Sequence, residues 1–409
     1  MLYNNINSCF LYKNTKAEKL TMKNERVAVL DVRSFEVTFL IGTRGFNDGF
    51  VVCGHETEEY EGYSAQGFID EEAFVSSARS VVDSVLKSYK GKLNKIYVGV
   101  PSPFIRLRTV GQNLPFSRRR KIAASDIETL FDCGLNTLSE QGRCIRHSAM
   151  YYAIGNTNKY LSEDELYGTP SSSLRGGLSY YFADESFCAL VEKALADLPF
   201  AEIVFLPTSL AEALYLLPKR ERNGYAVLLD VGYISSTISV VYGDGIVHEK
   251  SFTAGTASII CYLMQRFQLD PETAEKILAT ANIAAGDDSL DKPWTDDEGR
   301  SIPVQQINDV IEYGVDMICD QVNRFLNERY KDLDTVWANN TLWITGEGVE
   351  AIRGIGDHIS RRLDRAVKRL GPDLAYHDEP SLSSRFALLA MALSDRKKKR
   401  FTLFGGKRS

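Results

Sequence analysis

The chain of 409 residues holds 54 acidic and 48 basic side chains, a formal net charge of −6, with 44% hydrophobic and 25% charged residues. That length allows two or more domains with full cores, and the mild acidity argues against a general nucleic-acid binder. Seven scattered cysteines without a Cys-x-x-Cys pair, and five histidines without ligand spacing, argue against a disulfide frame or zinc site; no apolar run reaches the ~18 residues of a spanning helix, so a cytoplasmic protein is expected.

Residues 1–22 are polar, rich in Asn and Lys, and lack the apolar core of a signal peptide, so a disordered or non-native extension is expected ahead of the structured chain. Residues 27–42, VAVLDVRSFEVTFLIG, read as a strand ending on Leu30-Asp31, a turn at Arg33-Ser34, and a second strand alternating through Val37, Phe39 and Ile41. A third strand is expected at 50–55, an amphipathic helix at 71–89, and a buried strand at 94–100.

Residues 102–184 break this order. Alternation predicts strands at 104–114, 144–154 and 177–182, with a polar loop at 156–175. The basic run Arg118–Lys121 reads as a solvated turn, and Ser125-Asp126-Ile127-Glu128 as a capping box with Ser125 at the N-cap. This segment is expected to form a small inserted α+β subdomain. A helix at 185–198, a strand at 202–206 and a helix at 208–217 complete the first half.

Residues 225–252, YAVLLDVGYISSTISVVYGDGIVHEKSF, repeat the opening grammar. An apolar strand ends on Asp230, a turn spans Gly232–Ser235, and Gly243-Asp244-Gly245 joins the next two strands. One such Asp is most simply a turn cap; two copies of the same strand–Asp–turn–strand–strand unit point to an internal duplication. Helices are expected at 257–267, 271–281 and 304–330, an acidic Trp-bearing loop at 286–303, and a strand at 341–345. The run Thr345-Gly346-Glu347-Gly348 is read as opening a helix that ends at Gly371-Pro372. A last helix is expected at 384–394.

The fold class expected is therefore α/β: a duplicated ribonuclease-H-like two-domain architecture. The first half takes 23–101 and 185–223, the insert 102–184, the second half 224–256 and 332–394, a smaller subdomain 257–331, and a basic tail 395–409.

These elements together resemble the actin-like superfamily, and most closely the bacterial cell-division protein family FtsA. Leu30-Asp31-Val32-Arg33-Ser34 sits where that superfamily has its first phosphate loop, Leu229-Asp230-Val231-Gly232 where it has its second, and Trp343-Ile344-Thr345-Gly346-Glu347-Gly348 at its adenosine motif. The position of the insert (SHS2-type in that family), the stretch 199–217 and Ala274-Glu275-Lys276-Ile277 also look like the FtsA pattern. The resemblance implies ATP held between two domains, with Asp31, Arg33, Ser34, Asp230, Gly232, Ser235, Gly255, Glu275, Gly346 and Gly348 around it, and magnesium near Asp31 and Asp230 through water. It also implies self-association into filaments and an FtsZ-type division partner tethered to the inner face of the cell membrane.

The departures concentrate at the phosphates. Arg33 replaces the glycine of the first loop, Tyr233 and Ile234 replace two glycines of the second, and Thr237 replaces an acid. Leu278 stands for the usual lysine and Glu347 for a glycine of the adenosine loop. Glycine serves such loops because backbone N–H groups must approach phosphate without a Cβ, often at positive φ. The resemblance so modified implies a scaffold with a weakened nucleotide site; the alternatives are an active actin-like ATPase, and a PilM-like adaptor of pilus assembly. The last fifteen residues, DRKKKRFTLFGGKRS, contain seven Lys or Arg. Lys397, Lys398, Lys399, Arg400, Phe401 and Phe404 are candidates for contact with an anionic membrane.

Overall fold

The computed structural model describes residues 26–45, 49–155, 158–160, 163–284, 293–296, 299–330, 341–374 and 377–404, with 158–160, 164, 330 and 396–404 described by backbone alone. The expected extension 1–22 and half of the acidic loop lie outside these ranges. The described part of that loop is a hairpin of β15 (Pro293–Thr295) and β16 (Ser301–Pro303).

Two five-stranded sheets with one topology form the body. In the first, β1 (Val27–Val32), β2 (Glu36–Arg44) and β3 (Phe50–Glu59) make an antiparallel meander, and β6 (Lys95–Val100) and β11 (Glu202–Pro207) add in parallel, giving the order β11-β6-β1-β2-β3. In the second, β12 (Ala226–Val231), β13 (Ser236–Tyr242) and β14 (Gly245–Phe252) repeat the meander, and β17 (Leu342–Thr345) and β18 (Val367–Arg369) add in parallel, giving β14-β13-β12-β17-β18. The duplication read from the two Asp-ended strands is thus present strand for strand, and Asp31 and Asp230 hold equivalent register positions opposite Thr38 and Thr237.

Helix α1 (Glu71–Ser88) starts because the Asp70 carboxylate accepts from the Glu72 and Ala73 N–H groups at 2.9 and 3.0 Å. It buries Phe74, Ala78, Val81 and Val82 with α3 (Glu185–Leu195) in the first-lobe core. In the second lobe, α6 (Thr256–Phe267), α7 (Pro271–Thr280) and α8 (Val304–Tyr330) cover the sheet through Ile259, Ile277, Ile311 and Val315.

A third core joins the lobes. Helix α4 (Thr208–Leu216), which a short α5 (Lys219–Arg222) follows in the chain, and the last helix, α11 (Ser383–Phe404), lie between the sheets. Leu210, Phe386, Leu388 and Leu389 there meet Val29 and Leu40 of the first sheet and Leu228 and Val241 of the second.

The insert is a sheet of order β7-β10-β8-β9, built from β7 (Ile105–Lys121), β8 (Arg143–Ile154), β9 (Asn158–Tyr160) and β10 (Pro170–Ala183), with α2 (Ala124–Leu135) against it. It docks on the second lobe: Ser179 Oγ donates to Ile246 O at 2.8 Å, and the Ile246 N–H donates to Tyr181 Oη at 3.0 Å.

Several local expectations need correction. The basic run Arg118–Lys121 is not a turn but the end of β7, held there as Arg120 lies 4.0 Å over the Phe116 ring and pairs with Asp126. The N-cap of α2 is Ala123, not Ser125, because Asp126 reaches back to accept the Ala123 N–H at 2.9 Å. The loop expected at 156–175 contains β9 and the start of β10. The single helix expected after Gly348 is two, α9 (Glu347–Ala351) and α10 (Ile355–Leu363), followed by β18; between the helices the Arg353 carbonyl accepts from Ile283 N–H at 3.1 Å instead of continuing a helix. The last helix does not stop at 394: nothing in 395–400 breaks it, and its backbone runs to Phe404, just before Gly405-Gly406.

Candidate functional site

The two Asp-ended hairpins face each other across the junction of the lobes, and the turn residues of each touch the other. The Ile234 N–H donates to Ser34 Oγ at 3.0 Å, Ser235 Oγ lies 3.5 Å from the Tyr63 carbonyl oxygen, and the Phe35 and Tyr233 rings stack with centroids 4.3 Å apart. Tyr63 belongs to a short β4 (Tyr63–Ser64) that pairs with β5 (Gly67–Phe68) beside the first turn.

Arg33 occupies the centre. Only 6% of its side chain is exposed. One guanidinium nitrogen donates to Ser384 Oγ at 2.8 Å, and Ser384 Oγ in turn donates to Asp31 Oδ2 at 2.6 Å. The other terminal nitrogen lies 3.5 Å from Asp230 Oδ1, and Nε lies 3.9 Å from Glu347 Oε2. The Arg33 carbonyl accepts from Tyr60 Oη at 2.7 Å. Burial opposes the charge on Arg33, yet Asp230, Glu347, Asp31 and Glu212 outweigh it and push the guanidinium well above its ordinary range.

The acids shift upward as well, which in their case favours the neutral form. Burial raises Asp31, against the pull of Arg33 and Arg385 and the hydrogen bond from Ser384. Burial raises Asp230, against Arg33, and raises Glu212 strongly, helped by the nearby Asp230. Glu347 is pushed up to about 7 by burial, with Arg33 opposing.

The glycines retained from the phosphate-loop pattern are closed upon by the protein itself. At Gly346, φ is +98°, a left-handed conformation, and a Cβ there would collide with the Asp230 carboxylate. A Cβ at Gly255 would collide with the carbonyl oxygens of Gly232 and Tyr233. Those same carbonyls accept from the first N–H groups of α6, Thr256 at 3.2 Å and Ala257 at 2.9 Å. A helix N-terminus of this kind offers its free N–H groups to an anion; here the chain's own loop takes them.

What remains is a cavity of about 30 Å³, lined among others by Arg33, Ser34, Glu212, Asp230, Gly232, Ser235 and Ser384. Small-molecule sites run from about 300 Å³ upward. The structure thus brings together Asp31, Arg33, Ser34, Asp230, Gly232, Ser235, Gly255, Gly346 and Gly348, but around Arg33 and not around a nucleotide-sized space. Glu275 stays on the exposed face of α7, its contact being the Tyr233 hydroxyl, which donates to it at 3.4 Å. The paired acids do not fit a hydrated magnesium: Asp31 is fully buried with Ser384 on one oxygen, Asp230 faces Arg33, and no cluster of metal-ligating side chains exists among the described residues.

Sequence reasoning missed Glu212, Ser384 and Tyr63. Glu212 and Ser384 sit in runs that read as core-facing helix, and Tyr63 in a stretch with no strand pattern. Only a buried Glu between apolar neighbours in TSLAEALYL could have flagged the first. The side chains of Lys397, Lys398, Lys399, Arg400, Phe401 and Phe404 lie outside what the structure describes.

No protein-family model matches the chain, and no curated protein sequence does. Solved structures do. The chain is similar to that of the PilM–PilN type IV pilus biogenesis complex, with a TM-score of 0.58 at 13% identity, covering 90% of this chain and 98% of that one. It is also similar to MreB5 of Spiroplasma citri bound to ADP (TM-score 0.51, 10% identity, 93% and 99% covered) and to AMPPNP (TM-score 0.51, 11% identity, 94% and 100% covered). The chain therefore has the two-domain α/β actin-like fold. At these identities the likeness establishes the fold alone.

Proposed function

We propose that this protein is an assembly adaptor on an actin-like body, one that works without a nucleotide cycle. The observation that carries this reading is the filled cleft: Arg33, Tyr233 and Ile234 stand where phosphate-loop glycines would, and about 30 Å³ is left between the lobes. A fold that keeps both halves, the insert and the interlobe helices, but not the cleft, retains surfaces rather than chemistry. The finer form of the proposal is FtsA-like: self-association, an FtsZ-type partner, and attachment to an anionic membrane through the tail. The basic and apolar composition of 395–409 supports that form.

A second form, a PilM-like adaptor, has its own support, since the structure with the higher TM-score of those named is a PilM–PilN complex. Capture experiments with an FtsZ-type tail and with a PilN-type segment separate the two. The common part is tested by calorimetry with ATP and magnesium. No heat of binding at micromolar concentration is the expected result, and magnesium-dependent binding at that concentration would overturn the nucleotide-free reading.

A further inference from the structure

Four acids converge on one point from both lobes. Asp31 comes from β1, Glu212 from α4, Asp230 from β12 and Glu347 from the start of α9. Asp31 and Glu212 are 0% and 3% exposed, and the side chains of Asp230 and Glu347 22% and 21%. One oxygen of each, Asp31 Oδ1, Glu212 Oε1, Asp230 Oδ1 and Glu347 Oε1, is buried without a hydrogen-bond partner. Such a group is costly in a protein interior unless a cation answers it. Two cations are near. Arg385 pairs with Glu36, its Nε 4.0 Å from Asp31 Oδ2. Arg33 reaches Asp230 and Glu347 directly and Asp31 through Ser384.

We propose that Arg33 is a built-in counter-ion: its guanidinium, carried on the first lobe, occupies a cation site whose acids Asp230 and Glu347 belong to the second, and so clasps the cleft shut with no ligand. Its geometry suits the task. The three nitrogens point three ways, to Ser384 and through it Asp31, to Asp230, and to Glu347. A lysine offers one point charge and cannot span that fork. The remaining cavity, beside Glu212 and Asp230, has room for water but not for a second cation with a full hydration shell.

The inference rests on the closed cleft and not on the partner, so failed capture of either partner segment leaves it standing. Its test is Arg33→Ala in the full chain at pH 8. The variant is expected to melt roughly 5–10 °C below the wild type and to show a larger radius of gyration in solution scattering. Millimolar methylguanidinium is expected to return both toward wild-type values, with no effect on the wild type itself, and magnesium is expected not to; recovery with magnesium alone would overturn the guanidinium assignment. Arg33→Lys is expected to fall between the two. A neutralised variant, Arg33→Met with Asp230→Asn and Glu347→Gln, is expected to regain most of the loss without added cation, and it serves if Arg33→Ala does not fold. An unchanged melt for Arg33→Ala, or a loss that neither added cation nor neutralisation recovers, would overturn the proposal.

Discussion

Glu347, which the resemblance sets at a glycine of the adenosine motif, answers Arg33 from across the cleft. Burial, with Arg33 opposing and Glu36 and Asp230 adding to it, brings its carboxyl to about 7. In the unfolded chain it titrates near 4.5. Between those values the native state holds a proton that the unfolded chain has released. Its contribution to stability is therefore fully present below 4.5 and is lost as pH rises through about 7. Asp31, Asp230 and Glu212 shift in the same direction, and Arg33 stays charged throughout. The wild type is thus expected to lose stability between pH 5 and 8. Glu347→Gln, neutral at every pH, is expected to remove on the order of 1–3 kcal/mol of that decline while the other acids keep a residue of it. Urea titrations of both proteins across that range check it, and parallel curves would contradict the assignment.

At the scale of elements, the meander was legible because alternation with period two and an Asp-ended strand are local signals, and their second appearance fixed the duplication. Both halves therefore match in strand order, not only in content. That 33, 233 and 234 are not the glycines the resemblance expects was equally visible. What no local pattern held was where those side chains go. That Arg33 turns inward depends on Ser384, more than three hundred residues away, and that Tyr233 stacks on Phe35 depends on the closure of two lobes. The helix break near Arg353 likewise comes from a tertiary partner, Ile283. The second turn can be tested as a unit. Restoring glycine by Tyr233→Gly with Ile234→Gly removes the aromatic stack and the Ile234 contact over Gly62, and frees backbone in the unfolded state. The pair is expected to cost about 1–3 kcal/mol by urea denaturation. It is not expected to create ATP affinity, because Arg33 still fills the centre; calorimetry on the same variant decides, and tight binding there would move the block from Arg33 to the second turn.

At the scale of the molecule, one helix connects the cleft, the lobes and the tail. Helix α11 begins with Ser384 beside Asp31, continues through Phe386, Ala387, Leu388 and Leu389 in the core between the sheets, and leaves the body at Ser394 and Asp395. At that exit Arg146 of the insert pairs with Asp395 at 2.6 Å. The described burial in the helix ends at Leu393. No described helix is long and apolar enough to cross a membrane; the proposed attachment of the basic tail to a membrane surface is tested separately. Each basic residue near an anionic leaflet contributes about 1 kcal/mol, and salt screens that attraction. The full chain is expected to float with anionic vesicles at low salt, to release as salt rises, and to ignore zwitterionic vesicles. Removing 396–409 is expected to abolish flotation while leaving Tm within about 2 °C. Full-length protein that stays off anionic vesicles, or a truncated chain that floats as well as the intact one, would remove the tail from the proposed adaptor role.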